Sequence, residues 1–295
     1  MKPLHIDEEV TIRTDEDARR APETENDAAY ISEKSGITHV PLERWQKAQK
    51  AERNHWMVRG RHVANDRNDQ HMAMFDGYAA PRGRRFTHAL ELSCGPFTNL
   101  SLIGQLCQIE SVSLLDLLIE SYLSHKFCNY TRERLYTRRG GLDAWLRPVL
   151  GRVWPAAYRF LARELFPSHN MSVRQLLALP IEQMPEIEPA ADLLVIINVI
   201  EHCYDIQAVF RNILAALDRG GLLVFHDRYY DHEQVSQTVL SQYDAAHPLK
   251  VDRCVLDGFL QTHFDPIYQR IVPERFTLEG VDFSFDTLYY IGYKR

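Results

Sequence analysis

The feature that most constrains the fold is the run ADLLVIINVI at residues 191–200, which is apolar at almost every position. A strand with one solvated face would alternate polar and apolar residues, so this run is typical of a strand buried on both faces of a parallel sheet. Shorter apolar runs occur at residues 88–92, 111–118, 172–180 and 220–227. Helical patterns between the runs, at residues 100–107 and 206–217, predict alternating strands and helices.

The end of the chain completes this pattern. After a predicted helix at residues 255–264, two apolar stretches at residues 267–272 and 285–294 are typical of an antiparallel pair of strands at one edge. We therefore predict an α/β fold: a Rossmann-like, mostly parallel seven-stranded sheet flanked by helices, with an antiparallel last strand.

The 295 residues divide into a core and its additions. Residues 1–28 are polar and acid-rich, and we expect them to be mobile. Residues 29–80 are predicted to form an N-terminal helical lid, and residues 81–295 the core. An insert at about residues 121–171 is too long for a structureless loop, so we predict a helical cap there.

The predicted lid contains one unusual helical face. It carries Trp45, Gln49, Glu52 and Trp56 at spacings of four, three and four residues. Two interpretations stay open for this face. It either covers a ligand, with Glu52 as a polar contact, or packs on the core through its tryptophans.

Composition disfavours several classes of protein. A net charge of −6 argues against a nucleic-acid surface. Five cysteines, none in a C-x-x-C pair, argue against a disulfide framework or zinc ribbon and favour the cytoplasm. The first residues contain no apolar signal region and no apolar run has membrane-spanning length, so we expect no membrane association. The oligomeric state stays open, with a homodimer as one option.

Four polar segments follow or feed the predicted strands. They are ELSCGPF at residues 91–97, Asp116, NVIEH at residues 198–202 and DRGGLL at residues 218–223. Because the carboxyl ends of parallel strands meet at one edge of the sheet, ligands bind there. Glycine lets the backbone approach a ligand closely, and an acid at a strand end can accept hydrogen bonds from ribose hydroxyls.

The segments ALELSCGPF, LLDLLIESY, PIEQMPEIEPAADLLVIINVIEHCYD and LAALDRGGLLVFHD, in this order and spacing, resemble the motifs of class I S-adenosylmethionine-dependent methyltransferases. The resemblance covers roughly residues 86–123 and 172–230. It departs from the family's acid-x-Gly-x-Gly-x-Gly loop at Ser93 and Phe97, which replace the first and third glycines. It implies methyl transfer from S-adenosyl-L-methionine, with S-adenosyl-L-homocysteine as the product.

The resemblance also implies a set of donor-binding residues. Glu91, Ser93 and Gly95 would line the methionine end of the donor, Asp116 would hold the ribose, and Leu117 would pack on the adenine. A strand-end cap is the alternative role for Asp116.

The remaining donor residues come from two later segments. Ile181 and Glu182 would resemble the family's adenine-edge segment, and the backbone carbonyl of Asn198 would lie under the donor sulfonium. Simple surface charge is the alternative for Glu182, and a turn residue the alternative for Asn198.

Side chains near the strand ends are candidates for the acceptor side. The predicted catalytic residues are His202, His226 and Tyr229, although a structural role is the more common one for each histidine taken singly. The predicted substrate-binding residues are Trp45, Glu52, Trp56, Tyr230 and His247. The histidines and acids of the segment at residues 226–232 match no metal-site spacing, so no metal is predicted.

A small-molecule methyltransferase is the leading interpretation. The Asn/Asp-Pro-Pro-aromatic signature of base methylation is absent at Asn198, so a nucleic-acid acceptor is disfavoured. A nicotinamide-dependent oxidoreductase is one alternative, although the segment at residues 93–98 has one glycine where that fingerprint needs three. A non-catalytic nucleotide-binding module of the same fold is another.

Overall fold

The computed structural model describes residues 38–59, 68–135, 171–235, 246–278 and 281–295. The predicted mobile segment at residues 1–28 lies outside these ranges. Residues 136–170, which make up most of the predicted cap, lie outside them as well.

The described residues contain eight strands. They are β1 (Arg85–Leu92), β2 (Gln108–Leu115), β3 (Arg134–Leu135), β4 (Met171–Leu177), β5 (Ala191–Ile197), β6 (Leu217–Tyr229), β7 (Phe264–Leu278) and β8 (Val281–Lys294). They form one sheet in the order β3–β4–β2–β1–β5–β6–β8–β7. The pairs among β4, β2, β1, β5 and β6 are parallel, whereas β3, β7 and β8 pair antiparallel with their neighbours.

Helices flank this sheet. The described α-helices are α1 (Leu42–Asn54), α2 (Asn68–Met74), α3 (Leu100–Ile103), α4 (Ile119–Tyr122), α5 (Ile206–Ala216) and α6 (Arg253–His263). Shorter helical turns lie at His55–Arg59, Asp76–Tyr78, Ile181–Gln183 and Ile200–His202. Among the described residues, none of the helices has the length and apolar character needed to cross a membrane.

The predicted α/β sheet with its antiparallel end is confirmed, with three differences in detail. The eighth strand, β3, has two residues and lies in the insert, where no periodic pattern announces it. Helix α3 ends at Ile103, before the predicted Cys107, because the chain turns at Gly104 and packs there against Met171. Strand β6 starts at Leu217, directly after α5 and three residues before the predicted apolar run at residues 220–227.

The apolar run that defines β5 is buried on both faces of the sheet, as predicted. Leu194 and Ile196 belong to one core cluster, which includes α5 and α6. Leu193 and Val195 belong to a second cluster, which includes α3. Since successive side chains of a strand point to opposite faces, each cluster fills one side of the sheet.

The order of the strands fixes where a ligand can bind. From β1 the chain moves outward through β2 to β4, then returns to β5 on the other side of β1 and moves outward to β6. The order therefore reverses between β1 and β5. In open α/β sheets this reversal creates a crevice at the carboxyl ends of the strands.

Candidate functional site

A cleft of about 580 Å³ opens at this reversal, beside the carboxyl ends of β1, β2 and β5. Its volume lies in the range of small-molecule sites. Of the predicted residues, those that line the cleft are Trp45, Glu52, Trp56, Ser93, Gly95, Asp116, Leu117, Ile181, Glu182, Asn198, His202 and His247.

The turn after β1 forms the floor of the cleft. Ser93 and Gly95 have φ angles of 50° and 56°, in the left-handed region that disfavours residues with a Cβ atom. The Gly95 N–H donates to Asp116 Oδ2 over 3.1 Å, which ties the turn to the end of β2. A Cβ atom added at Gly95 would meet no protein atom within 4 Å, so a ligand can approach the backbone closely there.

Glu91 supports this turn from below and is not among the described lining residues of the cleft. Its carboxylate accepts hydrogen bonds from the Thr98 hydroxyl and from the backbone N–H groups of Asn99 (2.9 Å) and Leu100 (3.1 Å). Burial raises the pKa of Glu91 to about 7, although these donors act to lower it. We predicted that Glu91 would contact the methionine end of the donor. Its carboxylate instead turns inward, where it accepts the N–H groups at the start of α3 and supports the turn.

Asp116 follows β2 and reaches the cleft wall. Its Oδ1 accepts the Leu118 N–H over 2.8 Å, while Oδ2 accepts the Gly95 N–H. Burial raises the pKa of Asp116 to about 6; these two N–H groups oppose that shift, and the nearby Glu52 carboxylate adds to it. Asp116 therefore caps the end of β2, which is the alternative role, and also lines the cleft.

The helical turn at Ile181–Gln183 forms a second wall. Ile181 and Glu182 both line the cleft. Glu182 Oε1 also accepts the backbone N–H groups of Tyr204 and Asp205, which joins this turn to the start of α5. Burial raises the pKa of Glu182 to about 7.

Asn198 lies at the end of β5 with a φ angle of 58°. Its N–H donates to the His226 carbonyl oxygen over 2.8 Å. The next two N–H groups, of Val199 and Ile200, donate to Asp227 Oδ2 over 2.8 and 2.7 Å. Asp227, at the end of β6, thus fixes the turn that carries Asn198 into the cleft.

Helix α1 closes the cleft opposite this floor. Trp45 Nε1 and Gln49 Nε2 both donate to the His202 carbonyl oxygen, over 2.8 and 3.0 Å. Trp56, in the turn after α1, packs edge-on against Phe97 with ring centroids 5.7 Å apart. The predicted helical face therefore both packs on the core and lines the cleft.

A half-buried carboxylate and three histidines meet on this side of the cleft. Glu52 accepts the Trp56 indole N–H over 2.6 Å, and its Oε2 lies 4.0 Å from His202 Nδ1. The His202 and His247 rings lie 4.6 Å apart. Burial acts to raise the pKa of Glu52, but His202, His247 and His55 together with the Trp56 N–H lower it below the ordinary value.

His226 is not among the described lining residues. It lies buried against Tyr289 and His71, with ring centroids 4.2 and 4.7 Å away. His71 lines the cleft in its place. The prediction of a catalytic His226 is not supported by this position, because its ring points to the core beside β8.

Tyr229 and Tyr230 also lie away from the described cleft walls. The Tyr229 hydroxyl donates to the carboxylate of Asp257 on α6 over 2.7 Å. The Tyr230 hydroxyl donates to Glu201 Oε1 over 3.0 Å. Both side chains are buried at the end of β6. This position does not support the predicted catalytic role of Tyr229 or the predicted substrate contact of Tyr230.

Several lining residues were not predicted from the sequence. His55 and Tyr122 are two of them, and His71 is a third. His55 lies three residues after Glu52, so helical spacing could have placed it near the predicted face. No comparable pattern marks Tyr122 or His71.

Neither a protein-family model nor a curated protein sequence matches the chain. Solved structures match it in fold. A candidate methyltransferase from Bacillus halodurans C-125 is 13% identical with a TM-score of 0.50, and the match covers 75% of this chain and 97% of that one. The N-methyltransferase NodS of Bradyrhizobium japonicum WM9, solved with S-adenosyl-L-homocysteine, is 14% identical with a TM-score of 0.46, covering 84% and 98%.

A third structure is phosphoethanolamine N-methyltransferase 2 of Haemonchus contortus. It is 11% identical with a TM-score of 0.45, and the match covers 84% of this chain and 57% of that one. The chain thus has the class I S-adenosylmethionine-dependent methyltransferase fold that its motifs predicted.

Proposed function

We propose that this chain is a methyltransferase that moves the methyl group of S-adenosyl-L-methionine to an O, N or S nucleophile of a small-molecule acceptor by in-line displacement. S-adenosyl-L-homocysteine is then the product. The observation that carries the proposal is the convergence of Ser93, Gly95, Asp116 and Asn198 on one cleft at the reversal of strand order.

The residues of the cleft fit this donor. Asp116 offers a carboxylate to ribose hydroxyls, and Leu117 and Ile181 offer apolar surface to the adenine. The open space above Gly95 admits the methionine end. The donor sulfonium supplies an activated methyl group, so the protein has mainly to align the reactants in a dry pocket.

Two observations favour a small acceptor. The α1 side chains Trp45 and Gln49 are hydrogen-bonded to the His202 carbonyl, so that α1 forms one wall of a cleft of small-molecule size. The net charge of −6 points the same way. We therefore propose that α1 and the turn after it act as the lid predicted for residues 29–80. The five cysteines, all within the described residues, form no disulfide with one another, which supports the cytoplasmic location that we propose.

Titration calorimetry with S-adenosylmethionine, S-adenosylhomocysteine and the nicotinamide dinucleotides tests donor identity. We expect both sulfur nucleosides to bind, and Asp116→Ala to weaken binding by about 1–3 kcal/mol. Asp265→Ala is the matched control, because that aspartate is exposed at the far end of the sheet in a surface pair with Arg295. No binding of either sulfur nucleoside at millimolar concentration would refute the proposal, and nicotinamide binding would favour the oxidoreductase.

Methyl-labelled donor then identifies the acceptor class. The protein is incubated with a metabolite extract or with total RNA, and the label is followed by mass spectrometry. We expect label in small molecules. Label in RNA alone would contradict the small-molecule part of the proposal, and donor binding without any transfer would favour a non-catalytic module.

A further inference from the structure

The α1 side of the cleft contains a histidine, His202, whose hydrogen-bond partner favours one ring tautomer. His202 Nδ1 lies 3.2 Å from the carbonyl oxygen of Ala246. A carbonyl oxygen can only accept a hydrogen bond, so Nδ1 carries the proton in the neutral ring. The lone pair of the neutral imidazole is then on Nε2.

The same nitrogen faces the carboxylate of Glu52. Glu52 Oε2 lies 4.0 Å from His202 Nδ1, and the two side chains are 19% and 16% exposed. Glu52 is held there by the Trp56 indole, and α1 itself is fastened to the His202 carbonyl by Trp45 and Gln49. The helix that supplies the carboxylate is thus fixed to the residue that the carboxylate faces.

We infer that Glu52 and His202 form a carboxylate–imidazole pair that removes a proton from the methyl acceptor, and that the acceptor is therefore a hydroxyl compound, a thiol or a protonated amine. This inference rests on the proposed methyltransferase function. His202 Nε2 is the base, the Ala246 carbonyl holds the ring, and Glu52, 4.0 Å from Nδ1, stabilises the imidazolium through its charge. A thioether acceptor loses no proton and would make no use of the pair.

The charge around the pair suits this role. The pKa of Glu52 is lowered despite burial, because the facing histidines outweigh desolvation, so the carboxylate is ionised at neutral pH. The other titratable groups that face the pair are His55 in the turn after α1, His247 in the segment before α6, and Asp116 after β2. Arg59 also lines the cleft.

The transfer step balances without a further reactant. His202 Nε2 takes the proton of the acceptor O–H, S–H or N–H bond, and the electron pair of that bond stays on the acceptor atom. A lone pair of that atom then forms the new bond to the methyl carbon. The electron pair of the broken sulfur–carbon bond stays on sulfur. The imidazolium then releases its proton to water.

The first test is a readout that needs no turnover. Long-range proton–nitrogen correlation spectra of the unliganded protein at alkaline pH report the tautomer of each histidine, and His202→Asn identifies the His202 signal. We expect the proton on Nδ1. A proton on Nε2 would overturn the inference, because the basic nitrogen would then point at Ala246.

The second test measures the initial rate of label transfer from methyl-labelled donor into the metabolite extract. We expect His202→Asn to lower this rate roughly 100-fold, the usual contribution of a general base, with S-adenosylhomocysteine affinity close to that of the wild type. Glu52→Gln should cause a smaller loss, and Glu43→Gln on the exposed face of α1 none. An unchanged rate in both cleft variants, or a sulfonium product, would overturn the pair.

Failure of donor binding and failure of the His202 tests have different consequences. If S-adenosylhomocysteine does not bind the wild type, the proposed function fails and the inference fails with it. If it binds and label is transferred but the His202 results are negative, the methyltransferase function stands and only the general base is lost.

Discussion

Replacing Ser93 by glycine should stabilise the protein, which is unusual for a change to glycine. Ser93 has a φ angle of 50° in the turn after β1. A residue with a Cβ atom is disfavoured in this left-handed region, whereas glycine adopts it freely. Ser93→Gly therefore removes strain, and Ser93→Ala keeps the strain while removing the hydroxyl.

The size of the effect follows from two opposing terms. The left-handed conformation costs a residue with a Cβ atom about 1–2 kcal/mol, and glycine loses about 0.5–1 kcal/mol more backbone entropy on folding. Their difference gives a net gain of about 0.5–1 kcal/mol for Ser93→Gly relative to Ser93→Ala. In a chain of this size that gain corresponds to a rise in melting temperature of about 2 °C.

Urea unfolding of the two variants measures this difference, and Ser172 supplies the control. Ser172 is exposed on β4, where the backbone is extended, so Ser172→Gly should be less stable than Ser172→Ala. The sign of the glycine–alanine difference should thus be opposite at the two sites. Equal signs would refute the claim that the turn at Ser93 is built for a glycine conformation.

Three further predictions concern buried acids. Glu91→Gln should lower the free energy of unfolding by about 2 kcal/mol, because an amide cannot accept all the hydrogen bonds of the carboxylate; urea unfolding measures it, and an unchanged midpoint contradicts it. S-adenosylhomocysteine affinity should fall as pH is lowered through about 6, because Asp116 becomes protonated there and a neutral carboxyl is a weaker acceptor for the ribose hydroxyls. Calorimetry should show this fall for the wild type and a flatter pH profile for Asp116→Asn; equal profiles would oppose it. Lys250→Met should cost about 3 kcal/mol by leaving buried Glu201 without one cation, whereas Arg132→Met, in an exposed pair, should change stability little; similar losses in urea would count against a buried pair.

The sequence predicted the residues whose position is set by where a strand ends. Asp116 and Asn198 follow apolar runs, and parallel strands bring their carboxyl ends to one edge, so both could be placed in one cleft without a structure. Side-chain direction was not predictable in the same way. Glu91 also stands at a strand end, but its carboxylate turns inward, because the N–H groups at the start of α3 need an acceptor.

Contacts between distant segments could not be predicted at all. Glu52 and His202 are 150 residues apart in the chain. The sequence around each of them is also what an ordinary packed helix or strand end would show, so neither pattern indicates the other residue. The helical face of α1 shows that Trp45 and Glu52 point the same way, but not which part of the core they meet. That information comes from the hydrogen bonds of Trp45 and Gln49 to the His202 carbonyl, which no periodicity records.

The two departures from the family's glycine loop have separate physical reasons. At Ser93 the backbone keeps a glycine-like φ angle, so the path of the turn survives although the residue has changed. At Phe97 the reason is packing: its ring is buried between Trp56 and His125, with centroids 5.7 and 5.3 Å away. A glycine there would remove the contact between the loop and the turn after α1. An aromatic residue therefore stands where the family has a glycine, at the position where Trp56 packs on the loop, so the loop after β1 and the turn after α1 form one packing unit.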